Sequence, residues 1–147
     1  MPVPNPVMAS SPPIRILIVD DHALMRQGLR EICEGLGGFT VVAEATGGAE
    51  AVALRWITQP DVILMDLSMP DVDGAEAIRR IMRVAPASRI IALTMYPGES
   101  HMLAAVRAGA RAYLLKTAEA EELVAAIRAV YRGEYLVSPI VAARAYK

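Results

Sequence analysis

Residues 14–22 read IRILIVDDH: five apolar side chains in six positions, then two carboxylates and an imidazole. A strand with one wet face alternates polar and apolar residues. This run does not, which marks a strand covered on both sides, as in parallel sheets. Four further runs of the same kind follow, at Phe39–Ala43, Val62–Met65, Ile90–Leu93 and Ala112–Leu115. Between them, stretches of helical period fall near 23–36, 48–59, 74–84, 99–108 and 118–132. In the first of these, Met25, Leu29, Ile32, Cys33 and Leu36 recur at three- and four-residue steps and form one apolar stripe. Gly37-Gly38, Pro60, Pro86, Gly109 and Gly133 supply the stops. Five strand–helix repeats with short connections predict an α/β fold, a five-stranded parallel sheet with helices on both faces.

Composition limits what such a domain does. A chain of 147 residues with 54% hydrophobic side chains has the size and apolar content of one well-packed domain. The 15 basic and 16 acidic residues nearly cancel, so no basic stripe for nucleic acid is expected. One cysteine excludes an internal disulfide and C-x-x-C metal spacing. No run of 18 uncharged apolar residues exists, so no membrane span is expected and a cytoplasmic location is. Residues 1–13, MPVPNPVMASSPP, carry five prolines without the basic and apolar regions of a signal peptide. They are expected to form a disordered leader, residues 14–133 the domain, and 134–147 a linker or tail. Within that tail Ser138-Pro139 is a helix-start signal.

In open α/β sheets ligands bind beyond the carboxyl ends of the strands. The first run closes on Asp20-Asp21, the third on Asp66, the fourth on Thr94 and the fifth on Lys116. Five of the six aspartates fall in segments 20–21 and 66–73. Three carboxylates at neighbouring strand ends repel one another unless a divalent cation sits among them, and hard oxygen donors favour Mg²⁺ over zinc. Lys116 is one of two lysines beside 13 arginines. A lysine meets a phosphate as a compact point charge, where arginine acts as a rigid fork. The set suits Mg²⁺-assisted phosphoryl transfer, with Asp66 as nucleophile and Thr94 and Lys116 holding the phosphoryl oxygens.

At these residues the chain resembles a known family. ILIVDDH (16–22), DVILMDLSMPDVDG (61–74), IIALTMY (90–96) and GARAYLLK (109–116) resemble the receiver domain of bacterial two-component response regulators. The DDHALMRQGL opening, the LLK-T junction and the GEYLVSP exit are most similar to the NarL/LuxR-type subfamily. The resemblance implies a (βα)5 flavodoxin-like fold with Asp66 as the phosphorylated residue. It further implies a Mg²⁺ site made by Asp21, Asp66 and the backbone carbonyl of Ser68, with Asp20 in support. Thr94 corresponds to the switch hydroxyl, Lys116 to the phosphoryl-binding lysine and Tyr113 to the aromatic that changes rotamer. Pro70 and Gly74 correspond to the turn after the acceptor.

The function so implied is a switch and not an enzyme in the turnover sense. A sensor histidine kinase donates the phosphoryl group, and Thr94 and Lys116 move to it. Tyr113 then packs inward, and the face made by the fourth helix, fifth strand and fifth helix is remodelled. Members of the subfamily usually carry a C-terminal helix-turn-helix domain, so transcriptional output, phosphorylation-linked homodimerisation and DNA contact through that missing domain are expected. The 147 residues themselves are not expected to bind DNA. A stand-alone receiver acting through protein contacts is the alternative.

Blander readings apply residue by residue. Asp20-Asp21 alone would pass for a helix-capping turn, Thr94 for an ordinary strand residue and Lys116 for a solvated charge. Cys33 on the apolar stripe reads as a small core residue, and His22 and His101 as exposed helix residues without a catalytic part. Asp71-Val-Asp73-Gly74 resembles the opening of a calcium loop, but no glutamate stands at the twelfth position. The same residues resemble the motif of aspartate-nucleophile phosphatases, which place it directly after the first strand. An FMN-binding flavodoxin needs a Ser/Thr/Gly-rich loop where this chain has two aspartates that would repel the phosphate.

Overall fold

The computed structural model describes residues 12–69, 73–95 and 98–146. Positions 1–11 of the leader, Pro70 and Asp71 lie outside the described residues. Five strands, β1 (Arg15–Val19), β2 (Thr40–Ala45), β3 (Val62–Asp66), β4 (Ile90–Thr94) and β5 (Ala112–Leu115), form one parallel sheet in the order β2-β1-β3-β4-β5. The chain crosses back over β1 between β2 and β3. The order therefore reverses between β1 and β3, where the carboxyl ends of the strands open a crevice.

The unbroken apolar runs are explained by two cores, one on each side of the sheet. Even-numbered Ile16, Ile18, Val62 and Leu64 point to one face with odd-numbered Ile91 and Leu93. They pack there against α1 (Ala23–Glu31) and α5 (Ala120–Tyr131). Leu17, Val19, Ile63, Met65, Ile90 and Ala92 point to the other, under α2 (Gly48–Thr58), α3 (Gly74–Val84) and α4 (Glu99–Ala108). Twelve of the largest core side chains are less than 2% exposed. At about 1.5–3 kcal/mol each, they outweigh a cost on the order of several kcal/mol per ion for burying a charged cluster. This fold can hold buried charges at its edge.

Two boundaries differ from the sequence reading in ways the contacts explain, and the tail signal holds. α1 stops being a regular α-helix at Glu31 and widens into a π-helical turn over Ile32–Leu36, closed by Gly37 N–H donating to Ile32 O at 3.0 Å. Gly35 lies within it and costs the helix little to open. β2 runs on to Ala45 instead of stopping at Ala43, because Glu44 is satisfied at the sheet edge by Arg26 at 3.2 Å and by Arg30. The Ser138-Pro139 signal does start a helix, α6 (Pro139–Ala145), with Ser138 Oγ accepting from Val141 N–H at 3.3 Å.

Candidate functional site

Because the strands are parallel, all the polar strand ends lie along one edge. Asp20 follows β1 and Asp66 closes β3, adjacent strands about 4.8 Å apart. Lys116 follows β5, two strands from β3 and so roughly 10 Å away by the same spacing, a gap that a four-carbon stem spans. Its ammonium lies 2.8 Å from Asp20 Oδ2 and 3.0 Å from Asp66 Oδ1. The two carboxylates are fully buried and the lysine side chain is 3% exposed. Asp66 Oδ1 also accepts the Ser68 N–H at 3.0 Å, while Asp66 Oδ2 is buried with no partner. One oxygen of the acid is held and the other is free to react.

Asp20 is anchored separately. Its Oδ1 accepts the His22 N–H at 2.8 Å, and Arg26 Nη1 donates to its carbonyl at 2.7 Å. Asp21 is partly exposed, and its Oδ1 lies 3.1 Å from His22 Nδ1, which is also 3.2 Å from Asp20 Oδ1. Gly74 begins α3 against this edge. A Cβ there would stand 2.5 Å from Leu67 Cα and 2.6 Å from Asp66 O, so only glycine lets the helix start so close to the acid. Asp73 caps that helix, its Oδ1 accepting from Glu76 N–H at 2.9 Å, as an ordinary capping residue does.

The cluster is short of positive charge. Burial pushes the Asp66 carboxyl above the usual carboxylate range; the Ser68 N–H and Lys116 pull it down, and the neighbouring Asp20 charge adds to the rise. Burial also works against the Lys116 ammonium, yet its hydrogen bonds to Asp20 and Asp66 overcome that and hold its pKa above the ordinary lysine value. The acid shifts upward chiefly because it is buried, and the base because two carboxylates share it. The partnerless Asp66 Oδ2 and this charge deficit are what a divalent cation would relieve. Oxygens of Asp20, Asp21 and Asp66, with a His22 nitrogen, lie within 4.8 Å of one another and could hold a metal ion.

Thr94 is buried at the end of β4, and Lys116 N–H donates to its carbonyl at 2.7 Å. A hydrogen bond joins the side chains of Thr94 and Tyr113, and burial raises the phenol pKa above its ordinary value. Tyr113 is only 9% exposed and already lies inward. All the expected site residues among those described thus gather at one edge, in direct contact or one residue removed. Two contributors escaped the sequence reading. His22 is exposed, as expected, but its ring bridges the acid pair; its position directly after Asp20-Asp21 was the signal. Arg26 braces Asp20 from the next turn of α1, and nothing in its spacing distinguishes it from a surface arginine.

A family model described as the response regulator receiver domain matches residues 16–128. The chain belongs to the response regulator receiver domain family. Among curated proteins, this receiver is 44% identical over 128 residues to the uncharacterized transcriptional regulatory protein YhcZ of Bacillus subtilis, covering 87% of the chain and 59% of that protein. It is 44% identical over 128 residues to the response regulator UvrY of Escherichia coli K12, covering 86% and 59%. The chain therefore spans about three fifths of the length of these relatives. Among solved structures, the receiver matches a LuxR-family response regulator from Aurantimonas with a TM-score of 0.82 at 40% identity, covering 91% of this chain and 96% of that one. The signal receiver domain of the putative response regulator NarL from Mycobacterium tuberculosis matches with a TM-score of 0.81 at 30% identity, over 84% of this chain and 100% of that one. A receiver is a signalling module and not a turnover enzyme. Among the described residues, no helix is long and apolar enough to cross a membrane.

Proposed function

We propose that this chain is the phospho-accepting part of a cytoplasmic two-component response regulator, with Asp66 as acceptor and a sensor histidine kinase as donor. The observation that carries the reading is the buried, partnerless Asp66 Oδ2 beside an ammonium and two further carboxylates. In the transfer, the P–N bond of a phosphohistidine breaks and an O–P bond forms on Asp66. The imidazole keeps the bonding pair and takes up a proton. Asp21, Asp66 and the Ser68 carbonyl would hold Mg²⁺, with Asp20 in support; the ion, when bound, neutralises charge on the phosphoryl oxygens. Lys116 then exchanges the Asp66 carboxylate for a phosphoryl oxygen, and Thr94 turns its hydroxyl to another. That turn disturbs the bond between Thr94 and Tyr113, which is how the chemistry leaves the site.

Residues 14–133 are the receiver, preceded by the Pro-rich leader, and 134–147 lead toward an output domain like that of the longer regulators. Dimerisation and DNA contact belong to that larger protein. The test is intact-mass measurement after incubation with acetyl phosphate and Mg²⁺. One phosphoryl group should appear on the wild type and none on Asp66→Asn or in EDTA; equal labelling of the variant would sink the assignment.

A further inference from the structure

His22 takes no part in the proposed phosphoryl transfer, yet its ring is aimed at the acids. It directly precedes α1 with an extended backbone (φ −95°, ψ 114°), and its side chain makes no capping hydrogen bond to that helix. Helix capping therefore does not explain where the ring points. The His22 N–H donates to Asp20 Oδ1 at 2.8 Å and pins the backbone. The ring then turns onto the acid pair, with Nδ1 3.2 Å from Asp20 Oδ1 and 3.1 Å from Asp21 Oδ1. The imidazole is 67% exposed, so it reaches buried carboxylates while keeping contact with water. Asp20, Asp21 and Asp66 share one ammonium, which leaves the cluster two negative charges over. Asp66, whose Oδ2 is fully buried and without a partner, belongs to the same group.

Oxygen donors alone favour Mg²⁺, and the ring changes the donor set. We propose that His22 Nδ1 is a further ligand of this cluster and sets which ions it takes, giving first-row divalent ions such as Co²⁺ and Zn²⁺ a nitrogen that Mg²⁺ does not use. This rests on the metal site proposed above and deepens it. Mg²⁺ takes oxygen ligands and keeps several of its waters, so it gains nothing from the ring. Imidazole suits Zn²⁺, Ni²⁺ and their neighbours, and for a given N/O site affinity climbs from Mn²⁺ toward Cu²⁺. Holding the ligand costs little order, because the His22 backbone is already fixed and only two side-chain torsions remain. The cluster thereby responds to the balance between Mg²⁺ and transition ions. Whichever ion it holds occupies the acids that the phosphoryl transfer needs.

The experiment measures Co²⁺ and Mg²⁺ affinities of the full chain by calorimetry, with the visible spectrum of bound Co²⁺ as a second readout. His22→Ala and His22→Asn should each lose about tenfold or more of the Co²⁺ affinity and change the Co²⁺ spectrum, while Mg²⁺ binds both as it binds wild type. The asparagine keeps an amide donor close to the position of Nδ1. A ring that only hydrogen-bonds to the acids would be replaced by it, and Co²⁺ affinity would survive. His101→Ala, at the exposed histidine of α4, should bind both ions like wild type. In the chain labelled with ¹⁵N-histidine, Zn²⁺ should move the His22 Nδ1 resonance far more than Mg²⁺ does. Full Co²⁺ affinity in His22→Asn, equal losses of Co²⁺ and Mg²⁺ affinity, or a Co²⁺ loss in His101→Ala in place of the His22 variants overturns this inference and leaves Asp66 as acceptor. Binding of neither ion by wild type overturns the metal site of the proposed function and this inference with it.

Discussion

Replacing Lys116 by methionine keeps most of the stem volume and removes only the charge that two buried carboxylates share. The ammonium is 2.8 Å from Asp20 and 3.0 Å from Asp66, and both acids are fully buried, so neither can turn to water for compensation. Removing one partner from a buried ion pair costs about 3–5 kcal/mol; here two acids are stranded, which places Lys116→Met at the upper part of that range. Domains have roughly 5–15 kcal/mol in total. With a urea dependence of about 2 kcal/mol per molar, the midpoint should fall by roughly 2 M near neutral pH. The deficit is also pH-dependent. Without the cation the Asp66 carboxyl is held further above its unfolded pKa, so the native variant binds an extra proton. Its stability is then greatest in acid and is lost as pH rises through that folded value. The gap from wild type should therefore be small near pH 4 and full at pH 7. Mg²⁺ stabilises either protein by RT ln(1 + [Mg²⁺]/Kd), and should narrow the gap at pH 7 because the variant, relieved of the Lys116 charge beside the site, binds the ion more tightly. Urea melts at the two pH values, with and without Mg²⁺, decide the matter. A variant within about 0.5 kcal/mol of wild type at pH 7, or a gap that grows in acid, would refute the shared-cation account.

Other outcomes follow from single contacts. Gly74→Ala places a Cβ 2.5 Å from Leu67 Cα and 2.6 Å from Asp66 O, both backbone atoms; it should cost about 3 kcal/mol in urea melts and slow acetyl phosphate labelling. Gly28→Ala, in α1 with nothing within 4 Å of the added Cβ, should stabilise by about 0.8–1 kcal/mol. Burial pushes the Cys33 thiol up to about 12, so a thiol reagent at pH 8 should modify it only at the rate of opening, and denaturant should release full reactivity.

Most of the architecture could be read from the runs, because strands with two buried faces must be apolar at every position and Ile16–Val19 and Val62–Met65 are. What could not be read depended on partners distant in the chain. Glu44 ends an apolar run, yet it stays in β2 because Arg26 and Arg30 happen to lie above it. The π turn at Ile32–Leu36 preserves the same three- and four-residue spacing as an α-helix over so short a span. For the site, Asp20, Asp21, Asp66, Thr94 and Lys116 were legible because each interrupts apolar chain at a strand end. His22, marked only by its place after the acid pair, and Arg26, marked by nothing, were missed, since what they do depends on the direction of their side chains. The fold of residues 134–146 onto α4 was equally hidden: its anchors, Leu136 paired with Ala112 and Val141 at 3% exposure, look like any linker aliphatics until a sheet edge is there to receive them.

The doubly buried strands have a consequence for how the sheet finds its alignment. Where one face is wet, a slip by one residue exposes the whole apolar set and is rejected at once. In β3, with Val62, Ile63, Leu64 and Met65 all buried, a slipped pairing would look nearly as apolar as the native one. What it cannot hide is the polar residue that closes the strand: moved inward by one step, Asp66 would sit among aliphatics with Lys116 out of line. The acids, the threonine and the lysine thus serve as end-stops that tell one apolar ribbon where to lie against the next. Substituting them should show up in refolding yield and in trapped misaligned species, as well as in signalling.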